Sequence, residues 1–128
     1  MNILGIGVDI VELSRIRLAL NRSGSKFIEE LLNRNEIAQN TERVMAVPFI
    51  AGRLAAKEAV AKALGTGFNG FHWHEIEIYN HPNGQPFVVL VGRADLIASQ
   101  KNIVSCLVSI SHSEHFAISY SMALIQGE

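Results

Sequence analysis

The segment from Pro48 to Leu64 constrains the fold more than any other part of the chain. Pro48 suits a first helical position, where a missing N–H costs nothing, and Gly65 suits the position just past the end. Phe49, Ile50, Leu54, Ala61 and Leu64 recur near the helical period, so the spacing predicts a long helix with an apolar stripe. Gly52 inside it costs about 1 kcal/mol relative to alanine, which points to something packed close against it.

Strands are available to cover that helix. Residues 3–11 are rich in Ile and Val and read as a strand, with Gly5 and Gly7 allowing other backbone or a ligand to approach. Ser14 is the expected cap of a short helix reaching about Arg22, followed by Gly24, and Ser25 the expected cap of a helix over 27–32. The polar residues 33–40 receive no assignment. Residues 75–79 and 87–91 read as two strands joined by the turn signal Asn80-His81-Pro82-Asn83-Gly84-Gln85-Pro86. A helix over 92–101 and a final hairpin, 104–111 with 115–124 across Ser111-His112-Ser113-Glu114, complete the chain. Hairpins in place of regular βαβ units argue for an α+β fold, and 128 residues without linker or repeat for a single domain, 1–128.

Composition narrows the function. The net charge of −1 excludes a globally basic nucleic-acid binder. With 48% hydrophobic and 18% charged residues, a packed core is expected. The single cysteine, Cys106, lies in an apolar run and reads as a buried thiol of a reducing compartment. No secretory signal is expected at the N-terminus, and the apolar run Phe87 to Val91 is too short to span a bilayer, so a cytoplasmic protein without membrane contact is expected.

Asp9 interrupts an apolar strand, where a carboxylate is costly unless paired or metal-bound; the plain alternative is an acid satisfied locally at a strand end. Glu58 and Lys62, four apart on the helix, make an ordinary surface pair in most proteins. Here Arg53, Lys57 and Lys62 surround Glu58, and three cations about one acid suit a phosphate-bearing ligand with a hard metal. Mg²⁺ takes few carboxylates and accepts phosphate oxygens, so a strand acid and a helix acid could hold it against a pyrophosphate. His72 with His74, on one face of a strand, and His112 with His115 invite zinc but lack a third ligand. Ser109, Ser111 and His112 hint at a hydrolase, without the nucleophile-elbow motif. Arg15, Leu18 and Arg22 share one helix face, either solvated or a docking stripe for an acidic partner.

These residues carry a family resemblance. Gly5-Ile6-Gly7-Val8-Asp9-Ile10-Val11-Glu12 resembles the first signature of holo-acyl-carrier-protein synthases, and the run Phe49 to Gly67 resembles the second. Its heart is Lys57-Glu58-Ala59 followed by Lys62, the phosphopantetheinyl transferase hallmark. Asn83-Gly84-Gln85-Pro86 and Val108-Ser109-Ile110-Ser111-His112-Ser113 resemble two further motifs, all in family order. Position 54 departs: the family commonly has an aromatic where this chain has Leu.

The resemblance implies the phosphopantetheinyl transferase fold, an antiparallel sheet packed with a long central helix. It implies transfer of 4′-phosphopantetheine from coenzyme A to a serine of apo-acyl carrier protein, leaving adenosine 3′,5′-bisphosphate. By the same resemblance Asp9 and Glu58 hold Mg²⁺ and Lys62 stabilises the leaving phosphate. Glu58, or a water on the metal that it orients, takes the serine proton. Arg53, Lys62, Gly84, Pro86 and His112 meet coenzyme A, and Arg15 and Arg22 meet the carrier. A homotrimer with sites between subunits is implied as well. A silent binding module for coenzyme A or a carrier is the competing reading, which intact Asp9, Glu58 and Lys62 disfavour.

Overall fold

The computed structural model describes residues 1–127. Strand β1 (Asn2–Glu12) leads into helices α1 (Leu13–Ser23), α2 (Ser25–Leu31) and α3 (Arg34–Gln39), then the long helix α4 (Val47–Ala63). A 3₁₀ turn (Trp73–Glu75), the hairpin β2 (Ile76–Asn80) and β3 (Pro86–Leu90), α5 (Gly92–Gln100), and the hairpin β4 (Ile103–His112) and β5 (Phe116–Ile125) follow. The sheets are antiparallel, one in the order β1-β5-β4 and one made of β2-β3. This is the expected α+β architecture with a long central helix.

The sheet packs on α4 because both surfaces are made of small residues. Ala117, Ser119, Ser121 and Ala123 of β5 turn inward, as do Gly5 and Gly7 of β1. A Cβ added at either glycine would collide with backbone carbonyls of α4, Ala63 at Gly5 and Ala59 at Gly7, so the close approach read from these glycines is realised by the helix. Gly52 plays the same part toward β4, where a Cβ would meet His112 Nε2 at 2.7 Å. The apolar stripe predicted for α4 is only part of what it buries. Ala51, Ala55, Ala56, Ala59 and Ala63 are buried too, so the helix is enclosed on most sides, as helices apolar all round are. It is shared by two core clusters, one with α1, α2 and Val11, the other with β2 and α5.

Local expectations needed three corrections. Ser14 does not cap α1. Glu12 holds that position without a side-chain bond, and the N–H of Leu13 is satisfied at 2.9 Å by the carbonyl of His115, from the distant β4–β5 turn. Ser25 lies inside α2 behind Gly24, whose φ of +50° ends α1. The unassigned stretch 33–40 holds α3, opened by a capping box in which Asn33 and Glu36 each accept the other's backbone N–H. Among the described residues, no helix is long and apolar enough to cross a membrane.

Candidate functional site

The clamp of β1 on α4 fixes the first group of site residues. With Gly5 and Gly7 turned to the helix, the two-residue period of the strand turns Asp9 the same way. Lys62 of α4 then donates to the carbonyl of Val8 at 3.0 Å and to Asp9 Oδ1 at 3.3 Å. Glu58, one helical turn earlier, lines a cavity with Asp9, Arg15, Phe27, Leu54 and Trp73. Burial pushes the Glu58 carboxyl above its ordinary range. The nearby indole N–H of Trp73 opposes this, Asp9 adds to it and Lys62 opposes it. The strand acid and the helix acid thus line one cavity, and the charge of Asp9 bears on Glu58.

A second cavity lies at the N-terminal half of α4, lined by Arg43, Phe49, Gly52, Arg53, Asn80, Gly84, Pro86, Ile110 and His112. Arg53 is buried there, its guanidinium donating to Asn80 Oδ1 and lying 4.7 Å from the centre of the Phe49 ring. Burial foremost, with Arg43 adding to it and Glu36 opposing, lowers its pKa to about 10, which leaves it charged at neutral pH. Its Nε has no hydrogen-bond partner among the described residues. Asn80 Nδ2 donates to the Gly84 carbonyl at 2.8 Å, tying down a turn whose φ of +91° at Gly84 suits glycine. His112 Nε2 is 2.9 Å from the Pro48 carbonyl, at the start of α4. This concentration of cationic donors over one concave surface suits a phosphorylated ligand.

The cluster of cations expected about Glu58 is not what forms. Lys57 points the other way and is fully buried. Its ammonium donates to Glu36 Oε1 at 2.7 Å and to the carbonyls of Leu31 at 2.7 Å and Trp73 at 2.9 Å. Adjacent residues on a helix lie about 100° apart, so Lys57 and Glu58 cannot serve the same site. Lys57 is structural, and Arg53 and Lys62 belong to separate groups. Histidines 72 and 74 do not share a strand face either. His72 precedes the 3₁₀ turn and His74 lies within it, their rings 4.7 Å apart and His74 against the Glu29 carbonyl. No group of three or more His, Cys, Asp or Glu able to hold a metal occurs among the described residues, which leaves zinc without support. The hydrolase constellation also dissolves: strand alternation turns His112 toward α4, while Ser109 and Ser111 lie on the exposed side of β4.

Arg15, Leu18 and Arg22 are all exposed on α1, and Arg15 alone of the three reaches the cavity of Asp9 and Glu58. Sequence reasoning missed Arg43, Asn80 and Trp73, which line the cavities, and the buried Glu36. Arg43 and Asn80 sit in polar stretches whose spacing carries no signal. Trp73, between two histidines, drew attention only to its neighbours.

Comparison with known proteins gives the site a context. A family model described as the 4′-phosphopantetheinyl transferase superfamily matches residues 5–120. A holo-[acyl-carrier-protein] synthase of Clostridium acetobutylicum is 47% identical over 120 residues, covering 94% of this chain and 96% of that protein. Among solved structures, a holo-[acyl-carrier-protein] synthase from Neisseria meningitidis aligns with a TM-score of 0.89 at 31% identity, covering 96% of this chain and 99% of the other. One from Helicobacter pylori, in complex with coenzyme A, aligns with a TM-score of 0.81 at 33% identity, covering 93% and 99%.

Proposed function

Because the chain belongs to the 4′-phosphopantetheinyl transferase superfamily, we propose that it transfers 4′-phosphopantetheine from coenzyme A to a serine of apo-acyl carrier protein. The products are holo-acyl carrier protein and adenosine 3′,5′-bisphosphate. The observation that carries this reading is the convergence of Asp9, Glu58 and Lys62 at the seam of β1 and α4.

Asp9 and Glu58 are the residues that would hold Mg²⁺. The fit rests on their donor chemistry: two mutually repelling carboxylates from different elements suit a cation that takes one or two carboxylates and phosphate oxygens. When bound, the ion would neutralise charge on the pyrophosphate of coenzyme A. Lys62, half exposed beside Asp9, stabilises the leaving phosphate oxygen as its bond to phosphorus breaks. The carrier serine oxygen forms the new bond to the phosphorus that bears pantetheine, and its proton passes to Glu58 or to a water that Glu58 orients. Arg53, the Gly84–Pro86 turn and His112 meet the nucleotide end of coenzyme A, joined by Arg43. Arg15 and Arg22 meet the acidic carrier.

The two groups line separate cavities on one chain. One coenzyme A molecule needs both, which supports a homotrimer in which each site takes its nucleotide half from one subunit and its acidic pair from the next. The whole chain acts as one transferase domain, 1–128. A cytoplasmic setting belongs to the same proposal, in keeping with the free thiol of Cys106.

The test is intact-mass spectrometry of an apo-acyl carrier protein incubated with this protein, coenzyme A and Mg²⁺, beside an EDTA control. A mass gain of one phosphopantetheine that EDTA abolishes is expected. No gain with several apo-carriers would favour a silent binding module.

A further inference from the structure

Trp73 enters the cavity of Asp9 and Glu58 with a polar atom to which the proposed reaction gives no role. Its indole Nε1 is buried and has no hydrogen-bond partner among the described residues. It lies close to Glu58, yet no bond of proper length and angle closes between them. Leaving a donor buried and unpaired costs about 1–3 kcal/mol, and such groups in native proteins call for a reason. If packing against Phe68 (ring centres 6.0 Å apart) were the whole purpose, a phenyl ring would serve without that cost.

Polar side chains also hold this residue in place, the buried Lys57 among them. Lys57 donates to the Trp73 carbonyl at 2.9 Å and Asn33 to the His74 carbonyl at 3.0 Å. Glu75 accepts from the N–H groups of His72 at 2.8 Å and Arg93 at 2.5 Å. The 3₁₀ turn is therefore fixed to α4, α3 and α5, and the indole enters the cavity of Asp9 and Glu58 from a rigid support.

We infer that Trp73 is a positioning residue: its indole N–H donates to the Glu58 carboxylate once that carboxylate turns to a divalent cation, fixing the oxygen that faces the ion. The inference rests on the metal-holding role proposed for Asp9 and Glu58. Donors behind a metal ligand set its orientation, and their removal weakens metal binding about 10–100-fold. Lys57 and Glu36 act one step further back, through the Trp73 carbonyl.

The chain contains a single tryptophan, so both tests read position 73 alone. In ¹⁵N-labelled protein, addition of Mg²⁺ with coenzyme A is expected to move the one indole N–H resonance downfield and slow its exchange with water. An indole signal that stays in place while calorimetry shows Mg²⁺ binding overturns the inference and leaves the transferase reading standing. Replacing the residue biosynthetically with benzothienylalanine keeps the ring shape and removes the N–H. The calorimetric Mg²⁺ affinity in the presence of coenzyme A is expected to fall about 10–100-fold, with the melting temperature unchanged or raised. Unchanged affinity, or a loss that tracks a lowered melting temperature, sinks the positioning role. Natural protein that binds no Mg²⁺ and transfers nothing overturns both the inference and the reading beneath it.

Discussion

At the scale of single residues, the contrast between Lys57 and Glu58 separates holding the fold from doing chemistry. Lys57 is buried but matched, with three acceptors for its three donors. Glu58 is half-buried and unmatched, lifted by desolvation, with the charge of Asp9 adding to the lift. Its folded pKa lies above its ordinary 4.5, so the folded state binds its proton more tightly than the unfolded chain does. Its contribution to stability is then fully present below 4.5 and lost as pH rises through the higher folded value. At neutral pH without metal, this carboxylate is a strain the fold carries. Glu58→Gln removes the charge at nearly constant shape. Transfer should fall by about 10²–10³ or more, the scale of losing one preorganised electrostatic group. In EDTA at pH 7 the variant should melt at or above the temperature of the natural protein, and that advantage should vanish near pH 4. Full activity would remove Glu58 from the site, and a large loss of stability would make it structural.

At the scale of elements, the site is a consequence of how closely β1 can lie on α4. At Gly7 an added Cβ would overlap the Ala59 carbonyl and stand 2.8 Å from the Ala63 nitrogen and 2.9 Å from the Lys62 Cβ, mostly rigid backbone. Gly7→Ala must therefore push the strand off the helix, at a cost of about 1–3 kcal/mol. The same shift should pull Asp9 from Lys62 and Glu58. Denaturant melts should show the loss, and the Mg²⁺ concentration needed for half-maximal transfer should rise. An alanine variant with natural stability and metal response would mean that the clamp is slack. The strand, its glycines, α4 and both hairpins were legible in the sequence because each is set by local pattern: period two, period 3.6, and turn residues. The glycines that end α1 and α4 were legible too, but the start of α1 was not, because the N–H of Leu13 is satisfied by His115, about a hundred residues away. The burial of Glu36 was equally hidden. It accepts from Lys57 and from the backbone of Ile78, partners that only the folded chain assembles. Asp9, Glu58 and Lys62 could be named from motif order, whereas Trp73 and Arg43 become visible only as walls of their cavities.

At the scale of the whole molecule, one face of the three-stranded sheet remains unexplained by a single chain. Its inner face is small and buried against α4, while its outer face carries Ile6, Val8 and Ile10 of β1, Ile118 and Tyr120 of β5, and Leu107 of β4. Ile6 and Ile10 are 58% and 60% exposed, and these residues lie side by side across paired strands, not scattered. A contiguous apolar surface of this kind marks an interaction site in a folded protein. Self-association through it would account for the surface, and the proposed homotrimer, in which the acidic pair of one chain serves the nucleotide cavity of another, offers the partner. Ile118→Glu tests this, because the side chain is 42% exposed in the single chain and should change its folding little. Light scattering of the natural protein should give three times the mass of one chain. The variant should give one, with a natural circular dichroism spectrum and with transfer lost even at saturating coenzyme A and Mg²⁺. A monomeric variant that still transfers at the natural rate would place both halves of the site on one chain and leave the apolar face to another partner.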